Sequence, residues 1–443
     1  MRYLSTNNKT QPVTLAQAIL HGRADDGGLF WPEQLPQIPQ AFFNNISGMT
    51  FTEIAYVVCN MLFGDVLSSS ELKNIIERSF NFPLPVRKVG DRLYSAELFH
   101  GPTLAFKDFG ARFMARMISS LYTSGKFSGV RGDKLHVLIA TTGNTGSAVA
   151  NGFRHIPGVE VYILFPRGTA DRQLETQFTT LGDNIHALEV QGSIDDCHAL
   201  VAQAFADKEL AAEMTMTSAN SVNIVRLLPQ MFCYFYAVSE ILRLEGEHTP
   251  VTVAIPAGNL GNLTAALAAR QMGLKMDGII AAENANDYLT RLLATGAERL
   301  PHRPIPTLAC ACDKSMPTNM ARIRQVCRCP KGVAGLREAF SAVSIDDVGI
   351  IEGVNHCLDK YGYVIDPHTA LAYQALRRGL PEGHVGLMMA TGHPAKSLTA
   401  MNAITGRAME LPLQLTNFMT GKDQRLRIRP TYDDFRKVLV GKI

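Results

Sequence analysis

The chain has 443 residues, of which 46% are hydrophobic and 19% are charged, and its formal net charge is +3. These fractions are those of a globular protein and argue against a disordered or fibrous one. The length predicts about two to three domains. So small a charge gives no general reason to expect nucleic acid or an acidic membrane as a partner.

The beginning of the chain and its cysteines bear on the compartment. Residues 1–15 lack the long apolar core of a signal peptide, and the apolar runs elsewhere are too short to span a bilayer. We therefore expect a cytoplasmic protein without a membrane partner.

We expect all the cysteines to be free thiols, because they are not spaced like the cysteines of disulfide-linked proteins. They are Cys59, Cys197, Cys233, Cys310, Cys312, Cys327, Cys329 and Cys357.

Two pairs of these cysteines form CxC units. Cys310 pairs with Cys312 and Cys327 with Cys329, with one residue between the thiols of each pair. Zinc sites generally place two to four residues between paired thiolates, and no histidine lies at ligand spacing. The sequence therefore predicts no metal site.

Three stretches of the chain differ in their patterns. Residues 1–90 contain two helical segments, 51–64 and 69–80, and predict an N-terminal helical subdomain. Residues 91–403 predict a catalytic core. Residues 404–443 lack strong periodicity and predict a tail that packs on the core.

Short apolar runs alternate with stretches of helical period from about residue 134, and glycine or proline marks the joints. This alternation predicts an α/β fold with open, mostly parallel twisted sheets flanked by helices. A smaller lobe, about 134–217, is expected within the larger one. The strand candidates are KLHVLIAT, VEVYILF, NIHALEV, VTVAIPA, GIIAAE and HVGLMMA.

Two further segments have distinctive patterns. Residues 221–244 are mostly apolar and predict a long interior helix, kinked at Pro229. Residues 422–430 alternate charge with apolar side chains and predict an edge strand with a solvated face rather than a nucleic-acid patch.

Lys107 stands in the segment ELFHGPTLAFKDFG, between an aromatic residue and an aspartate. An apolar surround disfavours the charged form of lysine and makes a neutral amine available to condense with an aldehyde such as pyridoxal phosphate. The alternative is a surface lysine that opens a helix.

A strand, the loop Gly258-Asn259-Leu260-Gly261-Asn262 and a helix follow one another later in the chain. Glycines let the backbone approach an anion, and the N–H groups at the start of the helix point at it. The loop therefore predicts a phosphate site, although a tight turn here needs glycine in any case. It is neither a Walker loop nor GxGxxG, which weakens a nucleotide interpretation.

A second strand ends in a polar loop that predicts a site for an anionic or carbonyl group, such as a substrate carboxylate. The alternative is ordinary N-capping of a helix over 145–155. The loop residues are Thr141, Thr142, Gly143, Asn144 and Thr145.

Thr391 lies at the exit of a third strand. Its hydroxyl is placed either to donate to a ring nitrogen or to cap the next helix. Because the carboxyl ends of parallel strands meet in one crevice, we expect all three loops and Lys107 to lie together there.

The chain resembles the threonine synthase family over nearly its whole length. The lysine segment is the most specific part of the resemblance. The other motifs that carry it are GGLFWP, TTGNTG, ILFPRG, SANSVNIVRLLPQ, PAGNLGN, DPHTALAY and TGHPAK.

The resemblance implies a two-lobed fold of type II among pyridoxal 5'-phosphate enzymes, with Lys107 holding the cofactor covalently and Phe106 and Asp108 framing it. It implies that Thr391 faces the pyridine nitrogen and Asn144 the phenolic oxygen. The cofactor phosphate would be bound by Gly258, Asn259, Leu260, Gly261 and Asn262.

The same resemblance implies conversion of O-phospho-L-homoserine and water to L-threonine and phosphate, the last step of threonine biosynthesis, by a monomer or homodimer. Lys107 would remove the α-proton. Arg226 and Asn223 match family positions that bind the substrate phosphate, and arginine offers bidentate contact to phosphate oxygens. The alternative for Arg226 is a structural ion pair.

The chain also departs from the family pattern. Family members of this length often carry serine at Thr142, aspartate at Asn144 and phenylalanine at Leu260. The stretch LACACDKSMPTN replaces a more usual serine and asparagine pattern with cysteines.

Two other functions stay open at this point. A serine or threonine dehydratase, or a phospho-amino-acid lyase, would share the fold, but dehydratases usually have serine two residues before the lysine, where Ala105 stands. They also usually have a run of glycines in the phosphate loop. A non-catalytic metabolite-binding relative would keep the fold and lose the reactive lysine, which is present here.

Overall fold

Two sheets made mainly of parallel strands contain all the strands that the sequence predicted. The computed structural model describes residues 1–127, 130, 133–168, 172–298, 303–329 and 332–442. Helices pack on both sheets. The predicted α/β class with open, mostly parallel sheets is confirmed.

The described residues form thirteen strands. The six predicted strands are β5, β6, β7, β9, β10 and β12, and each is confirmed to within one residue at either end. The strands are β1 Tyr3–Ser5, β2 Phe30–Pro32, β3 Val86–Gly90, β4 Leu93–Glu97, β5 Leu135–Ala140, β6 Val159–Pro166, β7 Ile185–Val190, β8 Thr215–Thr217, β9 Val251–Pro256, β10 Gly278–Glu283, β11 Ser341–Ser344, β12 Val385–Ala390 and β13 Leu426–Ile428.

The larger sheet has the order β11-β10-β9-β12-β4-β3, and only the β3–β4 hairpin in it is antiparallel. The smaller sheet has the order β13-β7-β6-β5-β8 and is parallel throughout. Strands β1 and β2 form a separate antiparallel ribbon.

Helices connect and cover these strands in the described residues. The α-helices are α1 Leu15–His21, α2 Gln40–Phe43, α3 Phe51–Phe63, α4 Ser69–Ser79, α5 Lys107–Thr123, α6 Asn144–Phe153, α7 Arg172–Thr179, α8 Ile194–Ala206, α9 Lys208–Glu213, α10 Ile224–Leu227, α11 Met231–Glu245, α12 Gly261–Gln271, α13 Tyr288–Thr295, α14 Met320–Val326, α15 Ala334–Ala339, α16 Asp347–Tyr361, α17 Pro367–Gly379, α18 Leu398–Thr405, α19 Leu413–Met419 and α20 Tyr432–Leu439. Four 3-10 turns span Ile46–Gly48, Leu228–Gln230, Cys310–Cys312 and Pro394–Ser397. None of the helices in the described part of the chain has the length and apolar character needed to cross a bilayer.

The long helix predicted over 221–244 is broken rather than kinked. Helix α10 ends at Leu227, a 3-10 turn carries Pro229, and α11 begins at Met231. Proline has no N–H to donate, and its ring collides with the carbonyl group four residues earlier, so an α-helix does not continue through it. The predicted interior position is confirmed, because the side chains from Met231 to Phe235 are fully buried.

The tail is more regular than its sequence suggested. Residues Leu426–Ile428 form β13 at the edge of the smaller sheet, which confirms the predicted edge strand. Helices α19 and α20 were not predicted. In α20, Phe435 and Leu439 stand four residues apart and are buried in the same apolar cluster as residues of α8.

The order of the strands in the larger sheet determines what can meet at its carboxyl edge. Strands β9, β12 and β4 are neighbours. They lead respectively into the loop at Gly258, into Thr391 and into the segment that ends at Lys107. The two sheets are joined through α5 and α6, which pack so closely that a Cβ atom on Gly152 would lie 3.1 Å from the carbonyl carbon of Ala111.

Candidate active site

Lys107 is the first residue of α5, and the loop before it is paired with the exit of β12. The amide N–H of Phe106 donates to the carbonyl oxygen of Thr391 at 2.9 Å, and Ala105 forms an antiparallel bridge with Gly392. The expected proximity of the lysine segment and the third strand end is therefore present in the structure.

The amine of Lys107 makes no hydrogen bond to any described residue, and its side chain is half-buried. Burial, and after it the charge of Arg226, lower the pKa of Lys107 from 10.5 to about 8. The neighbouring carboxylate of Asp108 is turned away, since it accepts hydrogen bonds from the amide and hydroxyl of Thr103 at 2.9 and 2.7 Å. A solvated surface lysine does not fit this environment.

The loop after β9 ends in a helix without a side-chain cap. Leu260 is the N-cap of α12 and has a positive φ of 61°, and none of the described side chains caps the helix. The first N–H groups of an α-helix lack intrahelical partners, and the positive end of its dipole lies there. This helix end therefore has the donors and the field that a phosphate group needs.

The two glycines of this loop serve different purposes. A Cβ atom on Gly258 would lie 2.7 Å from the Cα atom of Cys312, so the close approach is to another stretch of backbone. A Cβ atom on Gly261 would find its nearest neighbours at 3.6 Å, in Asn319, and at 4.0 Å, in Gln230. The free space of the loop is thus above Gly261.

The two asparagines of the loop also differ. The side chain of Asn259 donates to the hydroxyl of Ser221 and accepts from the amide of Thr318, both at 2.7 Å. It therefore holds the loop in place. The Oδ1 atom of Asn262 accepts from the hydroxyl of Tyr234 at 2.6 Å, whereas its Nδ2 atom is buried and has no partner among the described residues.

Four buried polar atoms near these loops lack a partner among the described residues: Asn144 Oδ1, Arg226 Nε, Gln230 Oε1 and Asn262 Nδ2. Gln230 lies between Arg226 and the phosphate loop. Its Nε2 atom donates to the carbonyl oxygen of Arg226 at 3.0 Å, and its Oε1 atom faces Gly261. Buried polar atoms are costly unless they are paired. The two donors among them, Arg226 Nε and Asn262 Nδ2, together with the uncapped helix and the unpaired lysine, fit a polar, anionic ligand such as pyridoxal phosphate.

The loop after β5 uses one of its hydroxyls for structure. Thr141 Oγ1 accepts from the amides of Gly143 and Gly146 at 3.1 and 3.2 Å, at the start of α6. Thr141 thus ties the loop to the start of α6, although the N-cap itself is Gly143. The hydroxyls of Thr142, which is exposed, and Thr145, which is half-buried, make no hydrogen bond to described residues.

Thr391 does not cap the turn that follows it. His393 does so, because its Nδ1 atom accepts from the amide of Ala395 at 3.1 Å. Within the described residues the Thr391 hydroxyl has no partner and is half-buried. It is therefore available to a ligand.

Arg226 and Asn223, the two candidates for a substrate phosphate, differ in what they leave free. Arg226 is buried, pairs with no carboxylate among the described residues and donates from one nitrogen to the carbonyl oxygen of Ala219. Burial lowers the pKa of Arg226 to about 10. A structural ion pair, the alternative role for Arg226, therefore has no carboxylate partner among the described residues.

Asn223 is bonded on all sides. Its Nδ2 atom donates to the carbonyl oxygens of Ile19 at 2.9 Å and Ser218 at 3.2 Å, and its Oδ1 atom accepts from the amide of Val225. Its amide donors are already in use, so the direct phosphate contact expected from the sequence has no free donor. The side chain caps α10, the helix that carries Arg226.

Sequence reasoning missed two polar side chains near the site. Gln230 ends the LLPQ segment, and Lys396 ends the TGHPAK segment. The signal for Gln230 was a polar residue inside an apolar run, whereas the sequence around Lys396 has no such signal. Lys396 is buried and donates to the carbonyl oxygen of Thr103 and to Oε1 of Gln177, both at 2.7 Å.

The CxC units lie in different places. Cys310 and Cys312 form the turn beside Gly258, whereas Cys327 and Cys329 follow α14. In the described ranges no three or more His, Cys, Asp or Glu side chains are grouped so as to hold a metal. All eight thiols are free.

Comparison with known proteins identifies the family. Residues 80–392 match the model of the pyridoxal-phosphate dependent enzymes, and residues 2–80 match the model of the threonine synthase N terminus. The chain is 38% identical over 442 residues to threonine synthase from Serratia marcescens, covering 100% of this chain and 99% of that protein.

Two solved structures extend the similarity to the fold. Threonine synthase from Escherichia coli has a TM-score of 0.88 and 35% identity, with 100% of both chains covered. A structure described as PLP-bound threonine synthase from Brucella melitensis has a TM-score of 0.92 and 28% identity, covering 99% of this chain and 98% of that one. The chain therefore belongs to the threonine synthase family and is a pyridoxal-phosphate-dependent lyase.

Proposed function

We propose that this chain converts O-phospho-L-homoserine and water to L-threonine and phosphate, with Lys107 as the lysine that holds the cofactor. One observation carries the proposal. The unpaired amine of Lys107 lies beside the exit of β12, and the next strand, β9, leads to an uncapped helix end suited to a phosphate group.

The cofactor, when bound, withdraws electrons from the carbon atoms of the substrate. The residues around it hold and orient it. The N–H groups at the start of α12 and the Nδ2 atom of Asn262 would bind its phosphate, and the hydroxyl of Thr391 would meet its ring nitrogen. Asn144 would face its phenolic oxygen.

Lys107 would move the protons of the reaction. A pKa of about 8 lets this side chain hold a proton in one step and release it in the next near neutral pH. Its position at the first turn of α5, tied by Phe106 to the exit of β12, keeps the amine at one place while it does so.

Arg226 would bind the phosphate of the substrate. Its guanidinium is buried, has an Nε atom without a partner, and lowers the pKa of Lys107 through its charge. A buried cation without a carboxylate partner in the described residues is costly to the fold, and an anionic substrate would offset that cost. The free hydroxyls of Thr142 and Thr145, with Thr141 and Gly143 holding the loop, would bind the substrate carboxylate.

The arrangement of the chain supports a division into parts. We propose an N-terminal subdomain over 1–90, a core over 91–403 with a smaller lobe at about 134–217, and a tail over 404–443. The smaller sheet takes all its strands from the smaller lobe except β13, which the tail supplies. We further propose a monomer or homodimer that works in the cytoplasm, where its eight free thiols would stay reduced.

The test is incubation of the holoenzyme with O-phospho-L-homoserine, with phosphate and threonine measured together. Equal amounts of the two products are expected. Phosphate without threonine would indicate another lyase, and 2-oxobutyrate formed from threonine as the main activity would indicate a dehydratase. Lys107→Ala is the matched control and should form neither product.

A further inference from the structure

The turn Cys310–Cys312 contacts the phosphate loop after β9, and Asp366 at the start of α17 contacts the exit of β12. A Cβ atom on Gly258 would lie 2.7 Å from the Cα atom of Cys312, and one on Gly392 would lie 3.1 Å from Oδ2 of Asp366. The turn and the start of α17 therefore fill the space beside the phosphate loop and beside the exit of β12.

A chain of hydrogen bonds connects this turn to a buried carboxylate. Asp366 Oδ1 accepts from the amide and hydroxyl of Thr369, which leaves Oδ2 to accept from His368 Nδ1 at 2.7 Å. In the neutral imidazole the proton is thereby fixed on Nδ1. In this form Nε2 is the basic nitrogen, and it accepts a hydrogen bond from the amide of Ala311 at 3.1 Å. It also faces Cys310, the residue before Ala311.

Cys310 differs from the other seven cysteines, all of which lie in the described residues. It is exposed, whereas six others are buried and Cys327 is half-buried. The interaction with His368 lowers the pKa of the Cys310 thiol, while burial raises the pKa of Cys327 to about 11. The other charged groups that face Cys310 are Asp313 and Lys107.

Burial disfavours a charged His368, but Asp366 and Cys310 outweigh that effect and raise the pKa of His368 to about 10. A histidine held between a carboxylate and a thiol is the arrangement that produces reactive cysteines. Here the motif DPHTALAY supplies two of the three groups, and the cysteine comes from the stretch in which this chain departs from its family.

We propose that Cys310, His368 and Asp366 form a thiol–imidazole–carboxylate triad, and that Cys310 is a modification site for soft electrophiles and disulfides at the active site. The thiol proton moves from Sγ to His368 Nε2. The thiolate then attacks the electrophilic carbon of iodoacetamide, so that a C–S bond forms as the C–I bond breaks and iodide leaves. With glutathione disulfide, a new S–S bond forms as the old one breaks and glutathione thiolate leaves.

The first measurement is the rate at which iodoacetamide labels each cysteine of the holoenzyme at about pH 6.5, followed by peptide mass mapping. An ordinary thiol, with a pKa of about 8.5, is only about 1% thiolate at this pH. Cys310 should be labelled at least about tenfold faster than Cys327. Equal rates, or a pH profile for Cys310 with the ordinary midpoint of about 8.5, would overturn the triad.

Two variants isolate the parts of the triad. His368→Gln keeps a polar side chain but cannot be protonated, so labelling of Cys310 should slow by about tenfold. Unchanged labelling would mean that the Ala311 amide, and not the thiol, uses Nε2. The pH profile of the unmodified protein decides the question if His368→Gln does not fold.

Activity supplies the second measurement. Loss of activity should follow labelling of Cys310, because the adduct stands beside the site of Lys107, and Cys310→Ser should retain whatever activity it has before treatment. Activity that survives full labelling of Cys310 would overturn the placement at the active site. The labelling rates do not depend on the proposed reaction, so failure of one proposal can be told from failure of the other.

Discussion

The hydrogen bond from the amide of Phe106 to the carbonyl oxygen of Thr391, 2.9 Å long, fixes the position of the reactive lysine relative to the neighbouring strand exit. Lys107 follows the donor directly, and the Thr391 hydroxyl belongs to the acceptor residue. Backbone therefore determines the spacing between the amine and the hydroxyl. Substitution of either side chain leaves this bond in place, so effects on chemistry can be separated from effects on folding.

The lowered pKa of Lys107 predicts how the apoenzyme takes up pyridoxal phosphate. Only the neutral amine attacks the aldehyde, so the rate of uptake should rise with pH through about 8 and level off above it. The rate is measured by the change in absorbance after mixing. A midpoint near the ordinary lysine value of 10.5 would contradict the burial of this amine.

Arg226→Met should separate substrate binding from stability. Loss of a charge-assisted contact to phosphate should lower kcat/KM for O-phospho-L-homoserine by about 10- to 100-fold. The free energy of unfolding should stay the same or rise, because a buried charge without a carboxylate partner among the described residues is removed. Steady-state kinetics and denaturant unfolding measure the two effects.

Arg243→Met is the control for this change, since Arg243 forms an exposed ion pair with Glu240 at 2.8 Å. It should alter neither quantity by much. Unchanged kinetics in Arg226→Met would remove this residue from the phosphate site.

The two glycines of the phosphate loop should respond differently to alanine. Gly258→Ala places a methyl group 2.7 Å from the Cα atom of Cys312 and 2.9 Å from the carbonyl oxygen of Ala311, and backbone cannot move aside cheaply. It should lower the free energy of unfolding by about 1 to 3 kcal/mol.

Gly261→Ala meets nothing closer than 3.6 Å and should keep its stability. Its methyl group would enter the space above the first turn of α12, so the affinity for pyridoxal phosphate should fall. Thermal unfolding of the apoproteins and titration with the cofactor give the comparison. Equal loss of stability in both variants would show that the free space is not above Gly261.

The hydroxyl of Thr391 should matter to the reaction rate more than to cofactor content. Thr391→Val should lower kcat by about tenfold, because the loss of one hydrogen bond of about 1.4 kcal/mol corresponds to that factor. Thr391→Ser should recover most of the rate. The Phe106 bond is made by backbone and persists in both. Equal rates in the valine and serine variants would exclude a role for the hydroxyl.

Much of this architecture could be predicted from sequence, because buried parallel strands are short continuous apolar runs. The six predicted strands fall where those runs are. Strand β4 was not predicted, because Glu97 and Ser95 interrupt its apolar pattern, although the strand is buried throughout. Helix α20 is short and was not predicted, although Phe435, Val438 and Leu439 recur in it at helical spacing.

The site was harder to predict than the fold. Sequence alone could identify Lys107 and the loop Gly258 to Asn262 as chemically unusual, since each needs its residue types for a local reason. It could not show that the side-chain amide of Asn223 donates to backbone carbonyl groups such as that of Ile19. Nor could it show that His368 faces Cys310. In both cases the partners are far apart in the chain.

Two lysines, the half-buried Lys107 and the buried Lys396, have pKa values lowered by burial, to about 8 and about 7. Only one of them is without a partner in the described residues, since Lys396 donates to Thr103 and Gln177. The most direct test of the central claim is borohydride reduction of the holoenzyme followed by peptide mapping. The cofactor should be found on Lys107, and its recovery on Lys396 or any other lysine would contradict the assignment.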